Sequence, residues 1–108
     1  MAAKYNIIVD QGSDFSLGMN FKLNGAPRNL TGYSIRGDIK KTLTSTAAAS
    51  FTCQVINDAL GEFVIRLNSS VSTAMDPGLY LYDVEIYSNT AVTRVLEGTL
   101  TVRPEVTK

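Results

Sequence analysis

The chain has 108 residues, 44% of them apolar, and ten basic residues balance ten acidic ones. That is one domain's length with enough apolar content for a core, and the neutral balance disfavours a basic nucleic-acid binder or an acidic disordered tail. With no His and a single Cys, the chain cannot supply a Ser-His-Asp triad, a Cys-His pair, a His-ligated metal, a zinc cluster or an internal disulfide.

Period-two alternation dominates and predicts seven or so short strands. The N-terminal residues, Met-Ala-Ala-Lys, lack a signal-peptide apolar stretch, and no run reaches the length of a membrane span. Tyr5, Ile7 and Val9 alternate in the first strand. Phe15, Leu17, Met19, Phe21 and Leu23 follow, with small or polar residues between them, as in a strand with one buried face. Asn24, Gly25 and Pro27 read as a turn. Tyr33, Ile35, Gly37 and Ile39 continue the alternation. Residues 42–50 are rich in Thr, Ser and Ala and are expected to form a long mobile loop. Phe51, Cys53 and Val55 form the next strand. Cys53 is expected as a small buried side chain, in keeping with synthesis in a reducing cytoplasm. Asp58 to Gly61 reads as a turn into Phe63, Ile65 and Leu67. A single helical turn is expected near 69–75, capped by Asn68 or Ser69 and ended by Asp76-Pro77-Gly78. Tyr80, Tyr82, Val84 and Ile86 share one face of the next strand, and Val92, Leu96, Leu100 and Val102 mark the last.

Strands at this spacing, with turns between them, predict an all-β, antiparallel, Ig-like β-sandwich of about seven to eight strands in one domain, 1–108, with a C-terminal tail at 104–108. Asp76, Gly78 and Tyr80 have the spacing of a tyrosine corner, the feature that opens strand F in immunoglobulin-like sandwiches. Tyr82 then takes the place of the second Cys of antibody domains. The core Trp and the disulfide of those domains are missing.

Few residues suggest chemistry. Asp83 and Glu85 share a strand face with backbones about 6.6 Å apart, a separation compatible with an inverting glycosidase pair. No Trp accompanies them to stack a sugar, and ion pairing to Arg36, Lys40 or Arg66 is the simpler expectation. Arg94 falls in the inward register of Val92 and Leu96. Either its strand starts after it, or a bulge shifts the register, or it pairs with an acid at a sheet edge or subunit contact. Leu79 and Leu81 lie opposite Tyr80 and Tyr82. They form either a partner surface or a patch covered by the short helix. Glycine-rich phosphate loops, calcium loops and basic-aromatic stripes are not seen, so no cofactor, nucleic acid, membrane or small-molecule substrate is expected. Residues 1–54 carry six basic and three acidic side chains, and residues 55–108 carry four and seven. Such an asymmetry either pairs strands within the fold or suits head-to-tail assembly.

Several segments in order carry a family resemblance: Ile7-Ile8-Val9-Asp10-Gln11-Gly12-Ser13-Asp14-Phe15, then Leu30-Thr31-Gly32-Tyr33 and Ile35-Arg36-Gly37-Asp38-Ile39. Gly78, Tyr80, Tyr82, Asp83 and Glu85 follow, and Arg94 to Val102 with Pro104-Glu105-Val106-Thr107 close the pattern. In these the chain resembles small Ig-like β-sandwich structural proteins of tailed-bacteriophage virions, similar to the N-terminal attachment domain of baseplate and fibre-anchoring proteins. The resemblance implies a non-enzymatic virion component, made in the host cytoplasm, with other virion proteins as partners and symmetric or homo-oligomeric copies on the particle. It implies an adaptor of tail, neck or baseplate, or alternatively a capsid cement or decoration protein. In those proteins a longer C-terminal region does the receptor work, and because this sequence stops after the sandwich, receptor binding is not the expected role. A carbohydrate-binding module, with Tyr33 and Tyr87 as its aromatics, is the second alternative. The expected contact segments are the N-terminal segment, residues 42–50 and the tail from Pro104, with Leu79, Leu81 and Arg94 as contact side chains.

Overall fold

The computed structural model describes residues 3–23, 26–27, 29–42 and 45–104. In chain order their elements are β1 (Ala3–Lys4), β2 (Ile7–Asp10), β3 (Phe15–Asn20), β4 (Lys22–Leu23), β5 (Ala26–Pro27), β6 (Ser34–Lys40), β7 (Ala47–Ser50), β8 (Thr52–Asn57), β9 (Glu62–Leu67), α1 (Ser69–Ala74), β10 (Gly78–Tyr87) and β11 (Val92–Arg103). The larger sheet runs β1-β11-β10-β6-β7, with β2 also on β11, and the smaller runs β3-β9-β8; β4 and β5 form a short ribbon. The two sheets make an all-β sandwich with the strand neighbours of an Ig-like fold.

The alternating residues of both inner faces meet in one core. Ile39, Phe63, Ile65, Leu67, Tyr80, Tyr82, Val84, Ile86, Leu100 and Val102 are all buried there. Phe51 joins the sheets where the chain leaves β7 for β8. Its ring packs edge-on against Tyr82 at 5.7 Å between centroids and tilted against Phe15 at 6.4 Å. Gly37 makes room for that ring, because a Cβ there would sit 2.8 Å from Phe51 Cδ2.

Four expectations change. The pairing is mixed, since β1 and β2 run parallel to β11 while the other pairs are antiparallel. Residues 42–50 are not all loop: Ala47–Ser50 pairs with β6, an edge position that needs backbone pairing more than large side chains. Tyr5 is half exposed, because it lies in the break between β1 and β2. The first N–H of α1 is not satisfied by the side chain of Asn68, which makes no capping bond. Asp14, distant in sequence, accepts the Ser69 N–H at 2.7 Å instead. The Asn24-Gly25 turn, Leu43 of the predicted loop and positions 105–108 of the predicted tail lie outside the described residues.

Candidate functional site

The outer face of the larger sheet collects most of the singled-out side chains. Antiparallel register sets them in rows across β6, β10 and β11. Arg36, Glu85 and Arg94 make one row; Asp38, Asp83 and Glu97 make the next; Lys40, Leu81 and Thr99 make the third. The rows border a shallow depression of about 330 Å³ lined by Asp38, Lys40, Leu81, Tyr82, Asp83, Glu85 and Arg94.

Arg94 joins this face through a bulge. Val84 pairs with Leu96 and Glu85 with Arg94, so Val95 is the extra residue. Val95 and Leu96 are consecutive yet both buried, which turns Arg94 outward. Its strand already begins at Val92, which is exposed and does not reach the core as expected. Arg94 lies 3.5 Å from Asp83 and 3.4 Å from Glu97. Glu85 accepts from Arg36 Nε at 2.9 Å. Arg66 serves neither acid, because β9 belongs to the other sheet, where Arg66 donates to Gln54 at 2.7 Å. Burial holds the Asp83 carboxyl above the usual carboxylate range; Arg94 opposes this, while Glu85 and Asp38 add to it.

These acids share an open sheet face and are engaged by guanidinium groups, an arrangement suited to holding strands or a partner in register. Leu79 lies on the same side and is 59% exposed. The short helix leaves it uncovered, and α1 is instead bonded to the turn between β2 and β3 through Ser72 and Gly12.

The predicted corner residues meet. The Tyr80 hydroxyl donates to the Asp76 carbonyl at 2.7 Å, and Lys41 Nζ lies 4.4 Å over the Tyr80 ring. Burial pushes the Tyr80 phenol up. Tyr82 has a role that its position in the pattern did not suggest. Its hydroxyl donates to the Tyr5 carbonyl, and burial pushes its pKa up to about 12. Gly98 permits this contact, since a Cβ there would collide with the same Tyr5 carbonyl. Cys53 is half-buried, and burial followed by the nearby Asp38 charge pushes its thiol up to about 11, which makes it a poor nucleophile near neutrality.

Ser72 was not singled out in the sequence. It is fully buried, accepts from the Gly12 N–H at 3.1 Å and lies 2.8 Å from the Ser13 carbonyl oxygen. Together with the Gln11 side chain, which donates to the Met75 carbonyl at 3.0 Å, it locks α1 to the turn between β2 and β3. Only the helical spacing of residues 69–75 hinted that one small polar side chain there would point inward.

No family model matches the chain, and no curated protein matches it. Among solved structures it is similar to a family 123 glycoside hydrolase from Clostridium perfringens, described in terms of glycolipid glycan hydrolysis, with a TM-score of 0.63 and 10% sequence identity. The match covers 95% of this chain and 23% of that one. The likeness is one of fold. The chain therefore spans about a quarter of the hydrolase's length, as a sandwich-sized portion of it.

Proposed function

We infer that the chain is a non-enzymatic attachment subunit of a tailed-phage particle, placed at the tail, neck or baseplate, with capsid decoration as the variant of the same role. The observation that carries this reading is the outer face of the larger sheet. Exposed Leu79 lies beside Leu81 and rows of ion-paired charge, an open mixed apolar and charged surface of the kind that seats on another protein. The sequence resemblance to phage sandwich proteins supplies the particle. Asp83 and Glu85, the pair that glycoside hydrolysis would require, are held by Arg94 and Arg36 on that open surface.

The similarity to a glycoside hydrolase raises a sugar-binding role as the second reading. Its two aromatic candidates are poorly placed for a platform. The Arg36 guanidinium covers one Tyr87 face at 4.4 Å, and Tyr33 packs against the core. Antibody labelling of purified phage particles in the electron microscope tests the first reading. Label at a fixed place on the particle supports it, and a chain found only in the soluble fraction overturns it. Binding on a glycan array would favour the second.

A further inference from the structure

The smaller sheet ends on β3, and this edge differs from the others among the described residues. The β7 and β8 pairings each contain a register shift, and β1 with β2 is an interrupted edge that carries Lys4 and Asp10. Such bulges, breaks and charges are the usual protection of sheet edges. The strand β3 itself, Phe15–Asn20, holds no charged residue or proline, and its pairing with β9 runs without a shift.

The orientation of its backbone follows from one bond. Phe21, next in register after Asn20↔Glu62, donates its N–H to the Gly61 carbonyl at 2.8 Å. Antiparallel ladders alternate, so Phe15, Leu17 and Met19 also bond to β9. Ser16, Gly18 and Asn20 then turn their N–H and C=O groups to the open edge. Ser16, Gly18 and Asn20 are exposed, and nothing lies within 4 Å of where a Gly18 Cβ would be. Beside this edge a groove of about 340 Å³ runs between the sheets, bordered by Leu17, Met19, Tyr5 and Leu96.

The residues on this edge read as their own complement. If two copies pair antiparallel with Gly18 on the twofold axis, Ser16 faces Asn20 of the second copy. The flanking Asp14 then faces Lys22 of the second copy, at both ends of the junction. On the inner face Leu17 meets Met19 and Phe15 meets Phe21, all only partly buried in the single chain. Charge, polarity and apolar contact are satisfied in one register, and that register selects a second copy of this chain as the occupant.

We propose that the protein forms a twofold dimer through antiparallel β3–β3 pairing centred on Gly18, fusing two three-stranded sheets into one of six strands. The dimer stands apart from the particle assignment and is tested on the purified full chain. Sedimentation equilibrium from about 5 µM to 1 mM reads the monomer–dimer balance. Gly18→Lys places two ammonium groups on the axis, and Lys22→Glu sets like charges opposite Asp14. The first is expected to weaken the dimer by at least about tenfold and the second by about three- to tenfold. Thr52→Lys on β8 leaves it unchanged. Should Gly18→Lys lose its folded circular dichroism, Ser16→Lys with Asn20→Lys sets lysines face to face off the axis and is read in its place. A monomer throughout the range overturns the proposal. So does an oligomer that survives these lysines, or one that Leu79→Glu dissolves and they do not.

Discussion

Ser72 shows how much one buried hydroxyl can organise. It sits at zero exposure with both neighbours on the Gly12–Ser13 turn satisfied through it. Ser72→Ala leaves the Gly12 N–H and the Ser13 carbonyl without their partner, and the expected loss is about 1–3 kcal/mol of stability, read as a lower urea midpoint at unchanged slope. Cys53 and Tyr82 give the protein an alkaline limit. Their pKa values rise from 9.0 to about 11 and from 10.0 to about 12. Both groups are neutral when protonated, so between these limits the native state holds protons that the unfolded chain has released. Stability is therefore complete below about pH 9 and falls as pH climbs toward 12. Thermal midpoints measured from pH 8 upward should decline through that window, and Cys53→Ala with Tyr82→Phe should flatten the decline. A wild-type profile already flat to pH 11 would contradict this account.

At the scale of elements, two close approaches set where strands can lie. Gly37 on β6 faces the Phe51 ring and, at 3.2 Å from a Cβ position, the Asp83 carbonyl. Gly37→Ala must push the ring or the strand aside, at an expected cost of about 1–3 kcal/mol in denaturant unfolding. Gly98→Ala collides with Tyr5 and drives the N-terminal strand off β11, so the amides of residues 3–10 should exchange measurably faster than in the parent while β10 keeps its protection. The alternation of β3 and β10 was legible because their inward residues recur at every second position, whereas β9 also buries Val64 between Phe63 and Ile65. The register of Arg94 was not legible. Val95 is inserted between the paired residues Arg94 and Leu96, and a bulge leaves the sequence looking like an ordinary strand. Strand β7 was missed for another reason. Ala47–Ser50 has no large side chain to alternate, and β6 supplies its pairing.

At the scale of the whole molecule, two of the described ion pairs join the chain halves in opposite senses: Arg36 of the first half meets Glu85 of the second, and Asp10 of the first meets Arg103 of the second, so together they leave the charge asymmetry between the halves as it was. The Arg103 guanidinium bonded to Asp10 holds that carboxyl below the usual range, but both groups are well exposed. Exposed pairs contribute little and salt screens them, so raising NaCl from about 50 to 500 mM should move the thermal midpoint by no more than about 2–3 °C. A larger fall would mean that the ion-paired rows on the outer sheet face carry more of the stability than their exposure implies.

The sequence alone determined the strand alternation, the helical turn after Asn68, the approach of Tyr80 to Asp76 and the sandwich class, because each rests on contacts within a strand, a turn or a face. Tertiary structure alone decided that β1 and β2 run parallel to β11, that Arg94 turns outward, that Asp14 rather than Asn68 serves the start of α1, and that β3 is left as an unguarded edge. Each of these depends on which distant segment becomes a neighbour. Such partners are chosen by the packing of the whole core, and local pattern carries no record of that choice.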